Sequence, residues 1–229
     1  MSRRLEILEE MGLGPVWRLR QEKNPPVSAE TRTAETGGSR EEQVARMQWP
    51  ELKAAVHNCT ACGLRAGCTQ TVFGVGDASA NWLLVGEAPG AEEDRLGEPF
   101  VGQAGKLLDN MLAALGLARD NNVYIANVLK CRPPGNRNPE PQEVATCSPY
   151  LLRQIDLIRP KLIVAMGRFA VQTLLNTDAT IGSLRGKVHQ YHGVPLVVTY
   201  HPAYLLRNLP DKAKAWADLV FARRTIASS

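Results

Sequence analysis

Four of the five cysteines in this chain lie at positions that suit a metal centre. Two of them form a C-x2-C pair, and the other two lie just after an apolar run and within the helical pattern behind it. Thiolates from a loop and a helix can converge on one centre, and soft thiolate ligands select zinc or an iron–sulfur cluster. The spacing does not distinguish zinc from iron. The four cysteines are Cys59, Cys62, Cys131 and Cys147.

The remaining cysteine, Cys68, could replace one of the four, and His57 is a weaker substitute. An odd number of cysteines in a chain that shows no secretory signal argues against disulfides. The alternative is a set of unrelated buried or surface thiols. The C-x2-C spacing argues against this alternative for the first pair, whereas for Cys131 and Cys147 alone the two interpretations weigh about equally.

A conspicuous small-residue segment, Gly86-Glu-Ala-Pro-Gly90, directly follows an apolar run. Small residues there let the backbone approach a ligand closely. The segment matches neither G-x-G-x-x-G nor a P-loop, which argues against a dinucleotide or NTP site. Glu87 is a candidate acid, base or hydrogen-bond acceptor, or else a surface carboxylate. The next acidic residues, Glu92, Glu93 and Asp94, are mostly explained as the solvated start of a helix.

Three further residues could recognise a planar ligand. Phe100 lies in a Gly-bounded loop, where it could stack on a base or belong to the core. Asn127 is a polar residue in an apolar run, and the donor and acceptor of a buried amide suit the edge of a pyrimidine. A structural hydrogen bond is the other explanation for Asn127. His201 follows the last apolar run, where it can donate a hydrogen bond to a ligand oxygen.

Two stretches of this chain, whose net charge is +4, contain basic residues and no acidic ones. Two such cationic patches suit a polyanion such as nucleic acid, and solvated surface is the equally weighted alternative. One stretch lies between Ala179 and Pro210, and the other follows the second apolar run. They contain Arg185, Lys187 and Arg207 in the first, and Lys130, Arg132 and Arg137 in the second.

Two leucines, Leu205 and Leu206, stand directly before Arg207. An apolar wedge beside a phosphate contact is the arrangement with which proteins unstack a duplex. Leucines at such positions more often belong to the core of a helix. The wedge is therefore one of two interpretations.

The elements that must position these residues are four strands and the helices between them. Strands that alternate with helices predict a parallel sheet covered on both faces, with ligands bound beyond the carboxyl ends of the strands. The apolar runs predict strands at 82–85, 123–128, 162–166 and 194–200. Helical periodicity predicts helices at 107–115, 139–158, 169–175 and 210–226.

The first 45 residues differ in composition from the rest of the chain. We expect a short helix over residues 1–12 and a flexible Pro, Ser, Thr and Gly-rich linker up to about residue 40. The compact domain is expected over residues 46–229, with its first element near Trp49. No apolar stretch suits a membrane helix or a signal peptide, so we expect a cytoplasmic protein.

Taken together and in order, these motifs resemble the uracil-DNA glycosylase superfamily, and within it family 4, the iron–sulfur enzymes. The resemblance covers about residues 49–222 and rests on C-x2-C, GEAPG with EED and PFVG behind it, NVLKCRPPGNRNP, C-x15-C and HPAYLLRN. The classical members have a G-Q-D-P-Y-type first motif with a catalytic Asp, where this chain has GEAPG. The covalent uracil-DNA binders have a KRRIH insertion, which this chain lacks.

The resemblance implies an α/β fold, a three-layer α/β/α sandwich around a four-stranded parallel sheet. It also implies a structural [4Fe–4S] cluster on Cys59, Cys62, Cys131 and Cys147, and a monomer that acts on uracil-containing DNA. Phe100 would stack on uracil, Asn127 would read its Watson–Crick edge and His201 would hydrogen-bond its O2 atom. Glu87 and Ala88 would shape the pocket and exclude thymine, and Asn136 could approach the sugar or a water.

This function requires the uracil to be flipped out of the stack, with Leu205 or Leu206 filling the gap. Glu87 and Asn136 are the candidates for activating the attacking water. Arg137, Arg185 and Arg207 are the expected phosphate contacts. A uracil-DNA sensor without turnover and an iron–sulfur electron carrier are the alternatives, and the electron carrier leaves the strand-end motifs unexplained.

Overall fold

A six-stranded sheet forms the centre of the computed structural model, which describes residues 38–227. The strand order is β1-β3-β2-β4-β6-β5, and the four inner strands are parallel. Each edge strand runs antiparallel to its neighbour. The strands are β1 Val75–Gly76, β2 Trp82–Gly86, β3 Val123–Asn127, β4 Leu162–Met166, β5 Val188–Tyr191 and β6 Val194–Thr199.

The four predicted strands are confirmed as the parallel part of the sheet, and the prediction was incomplete at both edges. A parallel strand covered on both faces is an apolar run, which makes it visible in sequence. In β5, by contrast, exposed and half-buried residues alternate, and β1 has only two residues. Neither edge strand therefore contains an apolar run.

Helices cover both faces of the sheet, which confirms the three-layer sandwich. Leu108 of α5 and Leu219 of α10 pack on one face, and Leu151 of α6 and Val171 of α7 pack on the other. The helices are α1 Arg40–Arg46, α2 Trp49–His57, α3 Leu64–Gly67, α4 Ala91–Leu96, α5 Gln103–Ala113, α6 Pro141–Ile158, α7 Arg168–Leu175, α8 Ile181–Leu184, α9 Pro202–Arg207 and α10 Asp211–Ala227, with a 3₁₀ turn at Pro134–Asn136.

Successive residues of each inner strand point to opposite faces and so join the two cores. In β2, Leu83 and Val85 belong to one core, and Trp82 and Leu84 belong to the other. All five residues of β2 are buried. The helix layers on both faces thus hold the inner strands in place. Several candidate site residues lie at the carboxyl ends of these strands or directly after them.

The N-terminal part of the described chain packs on α6. Val44 of α1 is 2% exposed, the Arg40 guanidinium donates to the carbonyl of Thr146 at 2.7 Å, and Arg153 donates to the carbonyl of Met47 at 2.6 Å. The predicted helix over residues 1–12 and nearly all of the predicted linker lie outside the described residues. Within residues 38–227, no helix combines the length and the apolar character needed to cross a membrane.

Candidate active site

A pocket of about 470 Å³ opens beyond the carboxyl ends of β2, β3 and β6. This is the place where a parallel sheet is expected to bind a ligand. The pocket brings together most of the residues that the sequence predicts for the site, although they are far apart in the chain. These are Glu87, Ala88, Phe100, Asn127, Asn136, Arg137, His201 and Arg207.

Phe100 is held in the pocket by its backbone, which has the left-handed φ of 55°. A non-glycine residue keeps such a conformation only where its surroundings enforce it. Arg119 does so by donating to the carbonyl of Pro99 at 2.7 Å and to that of Phe100 itself. Gly105 is required because a Cβ there would lie 1.6 Å from the Phe100 carbonyl oxygen.

Glu93 holds the same loop from the other side. Its Oε1 atom accepts the backbone N–H groups of Val101 at 2.9 Å and Gly102 at 3.2 Å, and its side chain lines the pocket. The expectation that the acidic start of α4 is solvated is wrong for Glu93 and also for Asp94. Asp94 is 5% exposed and accepts the backbone N–H of Thr69 at 2.9 Å. Both carboxylates are bound by backbone N–H groups from loops that lie apart in sequence.

His201 presents a defined nitrogen to the pocket. It is the N-cap residue of α9, and its Nδ1 accepts the backbone N–H of Ala203 at 3.1 Å. The ring proton is therefore on Nε2, which can donate. Burial lowers the pKa of His201 to about 4, although the carboxylate of Glu93 acts in the opposite direction. His201 is consequently neutral near pH 7.

Asn127 is buried at the end of β3, with an exposed fraction of 2%. Its Oδ1 atom is inaccessible to water and has no hydrogen-bond partner among the described residues. Gly86 leaves room for this oxygen, since a Cβ there would lie 2.4 Å from it and 2.7 Å from the Phe100 ring. A buried acceptor without a donor costs about 1–3 kcal/mol, and an N–H group from a ligand would remove this cost.

Glu87 lies in the pocket wall without a strong counter-charge. Burial raises its pKa from 4.5 to about 7, and the guanidinium of Arg168 opposes the shift only in part. Near neutral pH the carboxyl group is therefore present in both protonation states. That is the condition under which a side chain can accept or donate a proton during a reaction.

The loop after β3 forms the outer rim of the pocket. Asn136 is exposed with a φ of 55°, and its Oδ1 accepts Nε of Arg132 at 2.7 Å. Arg137 is engaged by Glu143 through two hydrogen bonds of 2.5 and 2.9 Å. This pairing raises the pKa of Arg137 and lowers that of Glu143. The pair fixes the loop on α6 and leaves part of the Arg137 side chain accessible.

Three of the predicted DNA contacts lie outside the pocket lining. Arg185 forms an ion pair of 2.8 Å with the buried Asp218, which also accepts the hydroxyl of Thr199 at 3.0 Å. Leu205 is completely buried, whereas Leu206 is 41% exposed. Only Leu206 of the two leucines is at the surface, beside the exposed Arg207.

Sequence reasoning missed Glu93, Asn138 and Tyr204, which also line the pocket. Asn138 belongs to the NRNP motif and Tyr204 to the HPAY motif, so both were within segments already singled out. The Tyr204 hydroxyl donates to Asp211 at 2.6 Å, and its ring stacks on Tyr200 at 5.3 Å. Glu93 belongs to the EED segment of the same series of motifs, but its role was not predicted because its partners are backbone N–H groups.

The four predicted cysteines line a second pocket, between α2, α3 and α6. Burial raises the pKa of Cys147 to about 11, and Lys130 opposes this through its charge and through a backbone N–H that donates to Sγ at 3.3 Å. Cys68 is buried and lies against Cys131, whose pKa is raised mainly by burial.

Within residues 38–227, no three or more Cys, His, Asp or Glu side chains are arranged to bind one metal ion. A four-iron cluster holds its cysteine ligands further apart than a single ion does. The donor set, four thiols around one buried pocket with a lysine beside them, suits such a cluster.

The prediction that Lys130 belongs to a cationic surface patch is wrong. Its side chain is 2% exposed, and its ammonium group donates to the carbonyl of Asn127 at 2.9 Å and to Oε1 of Gln154 at 2.7 Å. The burial lowers the pKa of Lys130 to about 8. The cationic surface around the pocket is correspondingly smaller than the sequence indicates.

The fold and the pocket define a member of the uracil-DNA glycosylase superfamily, whose family model matches residues 73–220. The chain is 49% identical over 164 residues to a type-4 uracil-DNA glycosylase of Archaeoglobus fulgidus, which covers 68% of this chain and 82% of the relative. It is 45% identical over 161 residues to the type-4 enzyme of Thermotoga maritima, and this match covers 69% of this chain and 83% of the relative. A type-5 enzyme of Pyrobaculum aerophilum is 36% identical over a match that covers 58% of this chain and 66% of the relative. The chain belongs to the type-4 uracil-DNA glycosylases, which confirms the resemblance found in its sequence.

Proposed function

We propose that this protein flips uracil out of DNA and hydrolyses its N-glycosidic bond, as the first step of base excision repair. The observation that carries the proposal is the buried Oδ1 of Asn127, which has no donor among the described residues. It lies with the Phe100 ring around Gly86, and that ring stacks on the neutral His201. Uracil offers an N3–H donor flanked by two carbonyl oxygens. The N3–H matches the acceptor oxygen of Asn127, O4 matches the N–H donor of the same amide, and O2 matches the Nε2–H of His201.

Recognition of the flipped base rests on Asn127 and Phe100. The Asn127 amide would accept from N3–H and donate to O4, while the Phe100 ring supports the face of the base. A site with a buried acceptor rejects a base that lacks the matching donor far more strongly than an apolar pocket could. Glu87 and Ala88 form the wall that we assign to the exclusion of the thymine methyl group.

The bond that breaks joins N1 of uracil to C1′ of the sugar, and its electron pair leaves with the base. Negative charge then develops on O2, where the Nε2–H of His201 would donate. One such donor is worth roughly 3–4 kcal/mol when it is aimed at the developing charge. The pKa of about 4 leaves His201 neutral near pH 7, and its one ring proton is on Nε2 because Nδ1 accepts the N–H of Ala203.

Water completes the reaction at C1′, by analogy with glycoside hydrolysis. We assign Glu87 as the group that accepts a proton from this water, because a pKa of about 7 leaves roughly half of its carboxyl groups ionised near neutral pH. Asn136 would orient the water or contact the sugar from the rim. Asn136 is exposed and bound to Arg132, so its contribution depends on how DNA arranges the loop.

DNA contacts would come from Arg137 and Arg207 at the rim of the pocket, and from Leu206 as the wedge. Leu205 remains a candidate only if α9 rearranges, since it is fully buried. Arg185 is proposed as a phosphate contact that also neutralises Asp218. The monomeric state and the cytoplasmic location are predictions that belong to the same proposal.

Cys59, Cys62, Cys131 and Cys147 would hold a [4Fe–4S] cluster, and Cys68 stays outside this set. When bound, the cluster supplies a structural cross-link between the segments that carry the cysteines. The residues of this chain supply all of the chemistry at the base. The cluster would link the segment after α2 to α6, and it would thereby anchor the rim loop between β3 and α6.

The test is an assay on an oligonucleotide with one uracil, followed by alkali to break abasic sites. Strand breaks are expected with the unchanged protein, and Asn127→Leu should lose at least about 100-fold in kcat/KM because an apolar side chain can neither accept nor donate. Binding of the oligonucleotide without strand breaks would identify a sensor and contradict the enzyme. Visible absorption near 400 nm tests the cluster, and a colourless zinc-containing protein purified without air would contradict it.

A further inference from the structure

Lys130 is a buried cation whose two hydrogen-bond acceptors are both neutral. They are the backbone carbonyl of Asn127 and the side-chain amide oxygen of Gln154. Gln154 is itself fixed, since its Nε2 donates to the carbonyl of Phe73 at 2.9 Å. Hydrogen bonds alone do not offset the removal of an ammonium group from water, so a buried cation requires a nearby negative charge.

No carboxylate within residues 38–227 lies at salt-bridge distance from Lys130, although other side chains there form ion pairs. The acidic side chain that contacts Lys130 is Cys147, which would carry negative charge as a thiolate ligand of the cluster. Lys130 also lines the cysteine pocket, and its own backbone N–H donates to Cys147 Sγ. As thiolate ligands of the cluster, the cysteines would therefore place a negative charge on this side.

We propose that Lys130 is a positioning residue that links the two sites: its ammonium group is the counter-charge of the cysteine-held iron–sulfur cluster and holds the strand end that presents Asn127 to uracil. The inference rests on the proposed function for both the cluster and the uracil contact. It adds that a single side chain, that of Lys130, physically connects the cysteine site with the uracil pocket.

The geometry supports both halves of this role. The carbonyl that Lys130 holds belongs to Asn127, a residue that lines the proposed uracil pocket and has an unpaired buried oxygen. The ammonium group thus restrains the backbone of the residue that reads the base. On the other side, a fixed positive charge next to a cluster favours its more reduced, more negative form and raises its reduction potential.

The test compares Lys130→Met with Lys161→Met, which removes an exposed lysine at the start of β4 as a matched control. Two quantities are measured on the cluster-loaded proteins: the midpoint potential of the cluster, and the kinetics on a uracil oligonucleotide. We expect Lys130→Met to shift the potential to more negative values and to raise KM about tenfold with a smaller change in kcat. Lys161→Met should match the unchanged protein in both.

A further variant separates the two halves of the proposal. Gln154→Met removes one anchor of the ammonium group and leaves its charge in place. It should raise KM while the midpoint potential stays within error of the unchanged protein. Equal potentials and equal KM values for Lys130→Met and the unchanged protein would overturn the proposal.

A measurement on the unchanged sequence covers the case in which Lys130→Met does not fold. In protein containing lysine labelled with ¹⁵N only at Nζ, the paramagnetic reduced cluster should show a weak coupling to one nitrogen. Absence of this coupling would contradict the counter-charge role. A protein that contains no cluster but excises uracil would contradict the proposed cofactor instead, so the two failures can be told apart.

Discussion

The imidazole ring of His201 lies nearly parallel to the phenyl ring of Phe100, with 5.3 Å between the ring centroids and 28° between their planes. Phe100 comes from the loop before α5, and His201 comes from the end of β6. Gly167 makes the arrangement possible, since a Cβ there would lie 2.8 Å from Cβ of His201. One wall of the pocket therefore contains both an aromatic surface and a hydrogen-bond donor at a fixed position.

His201→Ala should lower kcat by about 10²–10³-fold, because it removes one donor to a developing anion. The dissociation constant for DNA should change little, since the donor acts mainly on the leaving base. His192→Asn is a suitable control, as His192 is exposed in a turn with a φ of 46° that Asn tolerates. Single-turnover kinetics and a binding titration measure the two quantities. Equal losses in both would contradict the assigned role of His201.

The pH dependence of excision should follow Glu87. If its carboxylate accepts a proton from water, the single-turnover rate should rise with pH around a midpoint of about 7 and reach a plateau above it. His201 contributes no step in this range, since its pKa is about 4. Glu87→Gln should be slower and nearly independent of pH between about pH 6 and 8. A variant with the same pH midpoint as the unchanged protein would exclude Glu87 as the titrating group.

Glu87 should also make the stability of the protein depend on pH, and stability should fall with rising pH where the excision rate rises. The folded pKa of Glu87 is raised above the unfolded value, so the folded protein binds more protons between about pH 4.5 and 7. Stability from this group therefore falls as pH rises through that window. We expect Glu87→Gln to raise Tm at about pH 8 and to have a smaller effect at about pH 5. Scanning calorimetry at the two pH values provides the comparison, and a larger gain at the lower pH would contradict the burial of the charge.

Glu93→Ala and Glu92→Ala form a matched pair on α4. Loss of the Glu93 carboxylate leaves the N–H groups of Val101 and Gly102 without their acceptor, and hydrogen bonds to charged groups are worth about 1.5–3 kcal/mol each. We expect a lower Tm and a drop of about 10–100-fold in kcat/KM as Phe100 becomes mobile. Glu92 forms an exposed pair with Arg95 at 2.9 Å, and its loss should have almost no effect. Glu93→Gln should restore most of the activity, because its Oε1 can still accept.

The sequence was most informative where one element could be read by itself. The inner strands are buried on both faces and are therefore visible as apolar runs, and the rule that ligands bind beyond parallel strands located Glu87, Asn127 and His201. The family resemblance supplied the expectations that the base is uracil and that the cysteines hold an iron–sulfur cluster. Neither the apolar pattern nor the cysteine spacing contains that information.

The sequence was least informative where a side chain depends on a distant backbone. Lys130 belongs to a stretch of basic residues, and its burial is decided by Gln154, which lies in the next helix. Leu205 and Leu206 are adjacent and chemically identical, so only the rotation of α9 about its axis determines which of them is exposed. Such questions depend on tertiary packing and have no local signature.

These two leucines therefore give the sharpest comparison. Leu206→Ala should lower excision from double-stranded DNA by about tenfold or more, because an apolar side chain no longer fills the gap left by the flipped base. Excision from single-stranded DNA should change much less, since no stack has to be held open. Leu205→Ala should instead cost about 2–5 kcal/mol in the free energy of unfolding, as expected for a buried leucine. Rates measured on both substrates at a temperature where each variant is folded, together with urea unfolding, make the distinction. A selective loss on double-stranded DNA for Leu205→Ala, with Leu206→Ala unaffected, would reverse the assignment of the wedge.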